Sequence, residues 1–243
     1  MNTNKMIARI AGLLYFLYIL TSVIADQFGH FVFVEAPLTV DHIITHEMLF
    51  RIGIVISLFS YALFLLAAWA LYVLLKPVNK NMAILFLVFN LGGFGILVLS
   101  HLNLISSLLL LSGADYLKAF QPDQLQALAI LSINLYHYGS TVAQIPYGIW
   151  LLPLGYLVFK SNFLPKILGI LLIADCFGLL FYVVQRFLFP AYAVLAYPCW
   201  AMGFLAEVSL TVWLLFKGVK DQKLERSESE LREISLVTET ERL

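Results

Sequence analysis

Met82–Leu111 reads MAILFLVFNLGGFGILVLSHLNLISSLLLL, thirty consecutive residues without a Lys, Arg, Asp or Glu. A bilayer core about 30 Å thick is crossed by roughly 20 apolar residues in a helix. This stretch is therefore long enough to span a membrane, and it predicts an integral membrane protein. Working outward, five more apolar runs lie between charged or Pro/Asn-containing breaks: Ile7–Ala25, Phe50–Leu75, Ala127–Phe159, Ile167–Leu188 and Leu195–Phe216. None shows the alternation of a β-barrel strand. The expected fold is an all-α integral membrane protein, a six-helix transmembrane bundle over residues 1–217. An outer loop over 26–49 and a charged tail over 218–243 complete the chain. The fourth run carries Pro146 and Pro153 and exceeds the length of a span, which suggests a helix that starts in the outer interface and kinks.

Composition agrees with this reading. Of 243 residues, 61% are apolar and 14% aromatic, and the mean hydropathy is +0.90. The 30 charged residues are unevenly spread, with 12 in the last 26 positions and 18 in the 217 before them. There is no basic field for nucleic acid, and two cysteines, Cys176 and Cys199, do not make a disulfide-stapled module. The tail from Lys220 alternates acid and base and reads as a solvated extension.

Orientation follows from the distribution of Lys and Arg, because translocating positive charge is disfavoured. Lys5, Arg9, Lys76, Lys80, Lys160, Lys166 and Lys217 fall on one side. Asp26, Glu35, Asp41, Glu47, Asp115 and Asp123 fall on the other, with Arg51, Lys118 and Arg186. Both termini are thus expected in the cytoplasm, the protein residing in the plasma membrane, as in a bacterial inner membrane. A competing reading takes Val23-Ile24-Ala25 as a signal-peptide cleavage site, leaving five spans. Tyr15 and Tyr18 suit a retained anchor better. Ile24-Ala25-Asp26-Gln27-Phe28-Gly29 resembles Ile173-Ala174-Asp175-Cys176-Phe177-Gly178, but a chain this apolar produces such matches by chance and no internal repeat is inferred.

Ionisable groups within a membrane are costly and usually face the bundle interior, so they are the best pointers to function. Span 4 carries Asn134, His137, Thr141 and Gln144, spaced i, i+3, i+7 and i+10 on one helical stripe. Span 5 repeats that spacing with Asp175, Gly178, Tyr182 and Gln185, beside Arg186. Span 3 places Asn90 and His101 three turns apart, with Ser100 and Asn103 beside the histidine. Span 6 aligns Cys199, Gly203, Glu207 and Thr211, and span 2 adds Gly53, Ser57, Ser60 and Tyr61. All five histidines, His30, His42, His46, His101 and His137, fall toward the outer side. The expectation is a polar, outward-facing cavity lined by spans 3, 4 and 5, its ligand-binding residues being His101, Asn134, His137, Thr141, Gln144, Asp175, Tyr182, Gln185, Arg186 and Glu207.

Each element has a plainer reading. Ser, Thr, Asn and Gln stripes also hold helices together in membranes at about 0.6 kcal/mol per contact, and Arg186 near a span end can snorkel to headgroups. Asp175 and Glu207, nearer the midplane, are harder to explain by packing. A metal site is the sharpest chemical alternative, built from His42, His46, His101 and His137, with Glu47 and Asp26 at hand. His42 and His46 stand at i, i+4 and can share an ion if that stretch is helical, with zinc as the alternative cofactor. His101 and His137 could instead hold a haem from adjacent helices. The leading expectation carries no cofactor. No Gly-x-Ser-x-Gly, P-loop or dinucleotide fingerprint is present.

Gly148-Ile149-Trp150-Leu151-Leu152-Pro153-Leu154-Gly155-Tyr156 is followed by Phe163-Leu164-Pro165-Lys166-Ile167-Leu168-Gly169. Together with Ala8-Arg9-Ile10-Ala11-Gly12-Leu13-Leu14-Tyr15, these motifs resemble the prokaryotic membrane family called domain of unknown function 4386. The resemblance runs from Lys5 to Phe216. It implies a bacterial or archaeal multi-pass protein and carries no catalytic residue over. Physically, Pro165 starts a helix, Lys166 anchors it and Gly169 permits close approach of another helix.

The sequence thus supports three readings. The first is a non-enzymatic protein that binds or moves a small amphipathic or lipid-like ligand, with membrane lipids and that ligand as partners and no nucleic acid. The second is a membrane-embedded metal-dependent enzyme of hydrolase type. The third is a structural or accessory subunit.

Overall fold

The computed structural model describes residues 3–33 and 40–219, with side chains for 3–27 and 43–219. The side chains of His30 and His42, and the tail from residue 220, lie outside the described residues. Within them every regular element is helical. The long helices are α1 (Thr3–Phe33), α3 (Glu47–Leu75), α4 (Lys80–Leu110), α5 (Pro122–Lys160), α6 (Lys166–Leu188) and α7 (Tyr197–Val212), with the short α2 (Val40–Thr45) before α3. A π turn over Trp213–Lys217 extends α7, and one-turn helices over Asp115–Ala119 and Pro190–Ala196 lead into α5 and α7. Six segments are long and apolar enough to cross a membrane, so the all-helical reading holds, with six candidate spans. The region read as an outer loop is largely helical where described, since α1 continues to Phe33 and α2 follows.

Sequence-local chemistry sets the helix ends. Asn79 caps α4, its Oδ1 accepting from the backbone N–H of Asn81 at 3.1 Å and of Met82 at 3.2 Å. Gln121 and Gln124 form a reciprocal capping box at the start of α5, with Pro122 in its first turn. Between α5 and α6 the chain reverses in five residues. The buried Ser161 hydroxyl donates to the Val158 carbonyl at 2.9 Å and accepts from the Leu164 N–H at 3.3 Å. Asn162 takes the left-handed conformation the turn requires, with φ of 39°.

The helices pack in chain order as a ring: α1 on α3, α3 on α4, α4 on α5, α5 on α6, α6 on α7 and α7 back on α1. Neighbours run antiparallel, as residue pairs show. Tyr15 meets Phe64 and Tyr18 stacks on the same ring, while the Ser60 hydroxyl donates to the Tyr18 carbonyl at 3.3 Å. Glycines set the closest seams. A Cβ on Gly155 would lie 2.7 Å from the Gly169 carbonyl oxygen, and one on Gly169 would lie 2.6 Å from that of Gly155. The glycine read as permitting close helix approach therefore has a glycine opposite it. Gly12 on α1 meets the backbone of Leu214 and Leu215 in the same way, closing the ring. Gly218 lies against Lys5, so α1 begins where α7 and its π extension end.

Phe64 stands inside the ring, in contact with Tyr15, Tyr18, Tyr147 and Trp150. The outer surface is strongly apolar, with Phe59, Leu99, Leu102, Phe177 and Phe204 exposed. In water such a continuous apolar surface would be an aggregation liability, whereas in hydrocarbon it is the solvated face.

Candidate functional site: polar groups inside the ring

Two levels of polar side chains occupy the inside of the bundle. At the inner level are Tyr15 on α1, Asn90 on α4, Asp175 on α6 and Glu207 on α7. They stand ten, ten, nine and ten residues from Lys5, Lys80, Lys166 and Lys217 respectively. At 1.5 Å per residue each is about 15 Å from the lysine-bearing end of its helix, half the thickness of a hydrocarbon core of about 30 Å. Helical periodicity explains how they reach the interior. Asn90 shares its buried stripe with Phe86, Gly93 and Leu97, and Asp175 shares its own with Leu168, Leu172 and Cys176.

Asn90 and Asp175 are completely buried. Neither atom of the Asn90 amide and neither oxygen of the Asp175 carboxyl has a hydrogen-bond partner within the protein. Glu207, half-buried, is within electrostatic reach of Asp175 and faces the Tyr15 hydroxyl, which closes no direct hydrogen bond. The Tyr147 hydroxyl on α5 is likewise unpartnered and acted on by Glu207. Gly93 allows the Tyr147 ring in, since a Cβ there would meet that ring at 2.8 Å.

The outer level centres on His101 of α4. Its Nδ1–H donates to the Leu97 carbonyl at 3.1 Å, leaving Nε2 as a buried acceptor with no partner. The ring stands edge-on to Tyr61 of α3, with centroids 5.1 Å apart, and to Tyr136 of α5 at 4.8 Å. Tyr61 and Tyr136 interact through their hydroxyls. His137 packs beside Tyr136 at 5.3 Å and lies within electrostatic reach of Arg186. Asp26 reaches Tyr136 in the same sense. Gly139 makes room for the Ser100 side chain, which a Cβ there would overlap. The two levels are joined by tyrosines: Tyr18 is influenced by Glu207 and Tyr147, and Tyr61 by Tyr18, Tyr147 and Tyr136.

The residues singled out from sequence are distributed unequally. His101, Thr141, Asp175 and Gln185 are buried; His137, Gln144, Tyr182 and Glu207 are half-buried; Asn134 and Arg186 are exposed. Several spend their hydrogen-bonding capacity on their own helices. Thr141 donates to the His137 carbonyl at 2.9 Å, Gln185 to that of Phe189 at 3.0 Å, and Thr211 to that of Glu207 at 2.7 Å. Tyr182 packs on Trp200. Sequence reasoning left Asn90, Tyr15, Tyr61, Tyr136, Ser140 and Tyr147 out of the candidate site. The nearly equal distance of Tyr15, Asn90, Asp175 and Glu207 from a lysine was the available signal.

For a metal, α2 ends at Thr45 and His46 adopts non-helical angles, φ −113° and ψ 27°. His42 and His46 therefore do not sit on one unbroken helix. Among the described residues no three His, Cys, Asp or Glu side chains converge as a metal-ligand group. The candidate metal set includes His42, whose side chain lies outside the described residues.

A ring of six apolar helices with polar groups buried at two levels defines a polytopic α-helical membrane protein. The chain belongs to the family described as "Domain of unknown function (DUF4386)", which it matches over residues 10–218. It is also similar to an uncharacterised protein of the archaeon Archaeoglobus fulgidus, with 30% identity over 154 residues. That match covers 63% of this chain and 75% of the relative. No solved structure matches the chain.

Proposed function

We propose that this protein binds or moves a small amphipathic or lipid-like molecule through a polar interior that opens at the His101 end of the bundle. It would reside in a cell membrane, with both termini in the cytoplasm. The observation that carries this reading is the set of buried polar atoms without partners: His101 Nε2, the Asn90 amide and the hydroxyls of Ser140 and Tyr147. Each such group costs about 1–3 kcal/mol when nothing satisfies it. A purely structural bundle would be more stable with apolar residues there. The aromatic walls, Tyr61, Tyr136 and Tyr147, suit a ligand with an apolar body and a polar head.

Native mass spectrometry of detergent-purified protein, followed by quenching of Trp150 emission with a lyso-phospholipid series, tests the reading. Saturable binding weakened at least tenfold in His101→Phe, with the melting temperature unchanged, is the expected result. Binding unaffected by His101→Phe and Asn90→Leu would leave the polar groups to helix packing alone and overturn it.

A further inference from the structure

Asp175 on α6 and Glu207 on α7 lie within electrostatic reach across the α6–α7 seam, and among the described residues no base acts on either. The charged side chain that acts on Glu207 is Asp175, itself an acid. The titratable groups around the pair are Tyr15 and Tyr18 from α1, Tyr147 from α5, Cys176 on α6 and Cys199 on α7. None of these is basic. The lysines and arginines of the described residues stand toward the helix ends. Arg51 is held by Glu47 and Lys118 by Asp115, each at 2.6 Å.

Two carboxyls at mid-depth in a membrane demand a positive charge, because the bilayer interior opposes an unpaired anion by several kcal/mol. Two further observations show how that charge is received. The Tyr15 and Tyr147 side chains are more than nine-tenths buried and their hydroxyls have no hydrogen-bond partner; that of Tyr15 faces Glu207, and Tyr147 lies within electrostatic reach of it. Gly203 of α7 packs directly against Asp175: a Cβ there would stand 3.0 Å from Oδ1, closer than an ordinary contact, so the missing side chain is what lets the carboxyl lie against α7.

We infer that Asp175 and Glu207, with the hydroxyls of Tyr15 and Tyr147, bind one exchangeable monovalent cation, a proton or Na⁺, at the centre of the bundle. One carboxyl of the pair stays protonated throughout; binding joins the ion to an oxygen of the other carboxylate and removes its negative charge. Release returns the same ion to water, and no electron moves. Tyr18, Tyr61 and Tyr136 form the polar track between this site and His101. The site does not depend on the amphipathic-ligand reading, and either can fail alone.

The test uses the full chain in detergent or nanodiscs. Infrared difference spectra are recorded between acid and alkaline pH, in Na⁺ and in K⁺ at equal ionic strength, alongside melting temperatures in each salt. A proton site gives a carboxyl C=O band that titrates in the wild type regardless of salt, is lost in Asp175→Asn and is shifted in Glu207→Gln. A Na⁺ site gives a band suppressed by Na⁺ and not by K⁺, with a melting temperature that rises with Na⁺ alone. If the wild type shows neither a titrating buried carboxyl band nor any Na⁺-specific shift, the inference is overturned. So is it if the band survives unchanged in both variants. The wild-type measurements stand even if Asp175→Asn fails to fold, and Glu207→Gln then assigns the band.

Discussion

The inner and outer levels of the bundle satisfy buried polarity to different degrees. At the outer level His101 is wedged between two tyrosines and already donates one ring N–H to its own helix. Thr141 nearby donates to a carbonyl one turn back, and Arg186 and Asn134 reach the surface. At the inner level Asn90 and Asp175 are fully buried with every polar side-chain atom unpartnered. The outer level mixes satisfied groups with two buried atoms that have no partner, His101 Nε2 and the Ser140 hydroxyl. The inner level keeps whole side chains unsatisfied at a depth where hydrocarbon offers no partner, which packing alone does not explain.

The contrast rests on α5 and α6 holding both levels in register, so the largest expected effect comes from forcing them apart. Gly155→Leu would drive a side chain into the Gly169 carbonyl, 2.7 Å from where its Cβ would stand. Overpacking of this kind costs about 3 kcal/mol or more, and size-exclusion profiles should show loss of monodisperse protein. A smaller effect, about 1–3 kcal/mol, is expected at the outer level from Gly139→Ala, whose Cβ would overlap the Ser100 side chain. The added variant Ser100→Gly should restore the melting temperature; failure of that rescue would mean that the α4–α5 seam is not set by this contact. The smallest effect separates the levels most directly. Asn90→Leu removes two unpartnered polar atoms and should leave stability unchanged or raise it by about 1 kcal/mol. A pronounced destabilisation by Asn90→Leu would show that the amide is satisfied after all and erase the difference between the levels.

Much of the fold was legible in the sequence because hydrocarbon acts on each helix separately. Met82–Leu111 had to be a spanning helix whatever its neighbours, since only internal hydrogen bonding satisfies its backbone there. Gly169 was readable as a contact point because a small residue inside an apolar run has few other uses. The candidate site was legible only in part. Spacing alone placed Asn134, His137, Thr141 and Gln144 on one stripe, but a stripe states which residues share a face and not how deeply that face is covered. Asn134 is exposed while Thr141 is buried. Tyr15 counted in the sequence only as a sign that the first span is retained, yet its ring is buried against Phe64 and its hydroxyl faces Glu207.

The amino-acid sequence by itself determined that this chain forms six apolar helices, because the length and charge of each run answer to the bilayer without reference to the rest of the molecule. It also determined which rare polar residues enter those helices. Only the tertiary structure decided which of them meet. Closure of the ring through Gly12 on α1 and Leu214–Leu215 brings Tyr15 to Glu207, residues 192 positions apart in the chain. Contacts between helices depend on rotation and packing of both partners at once, and neither helix encodes them alone.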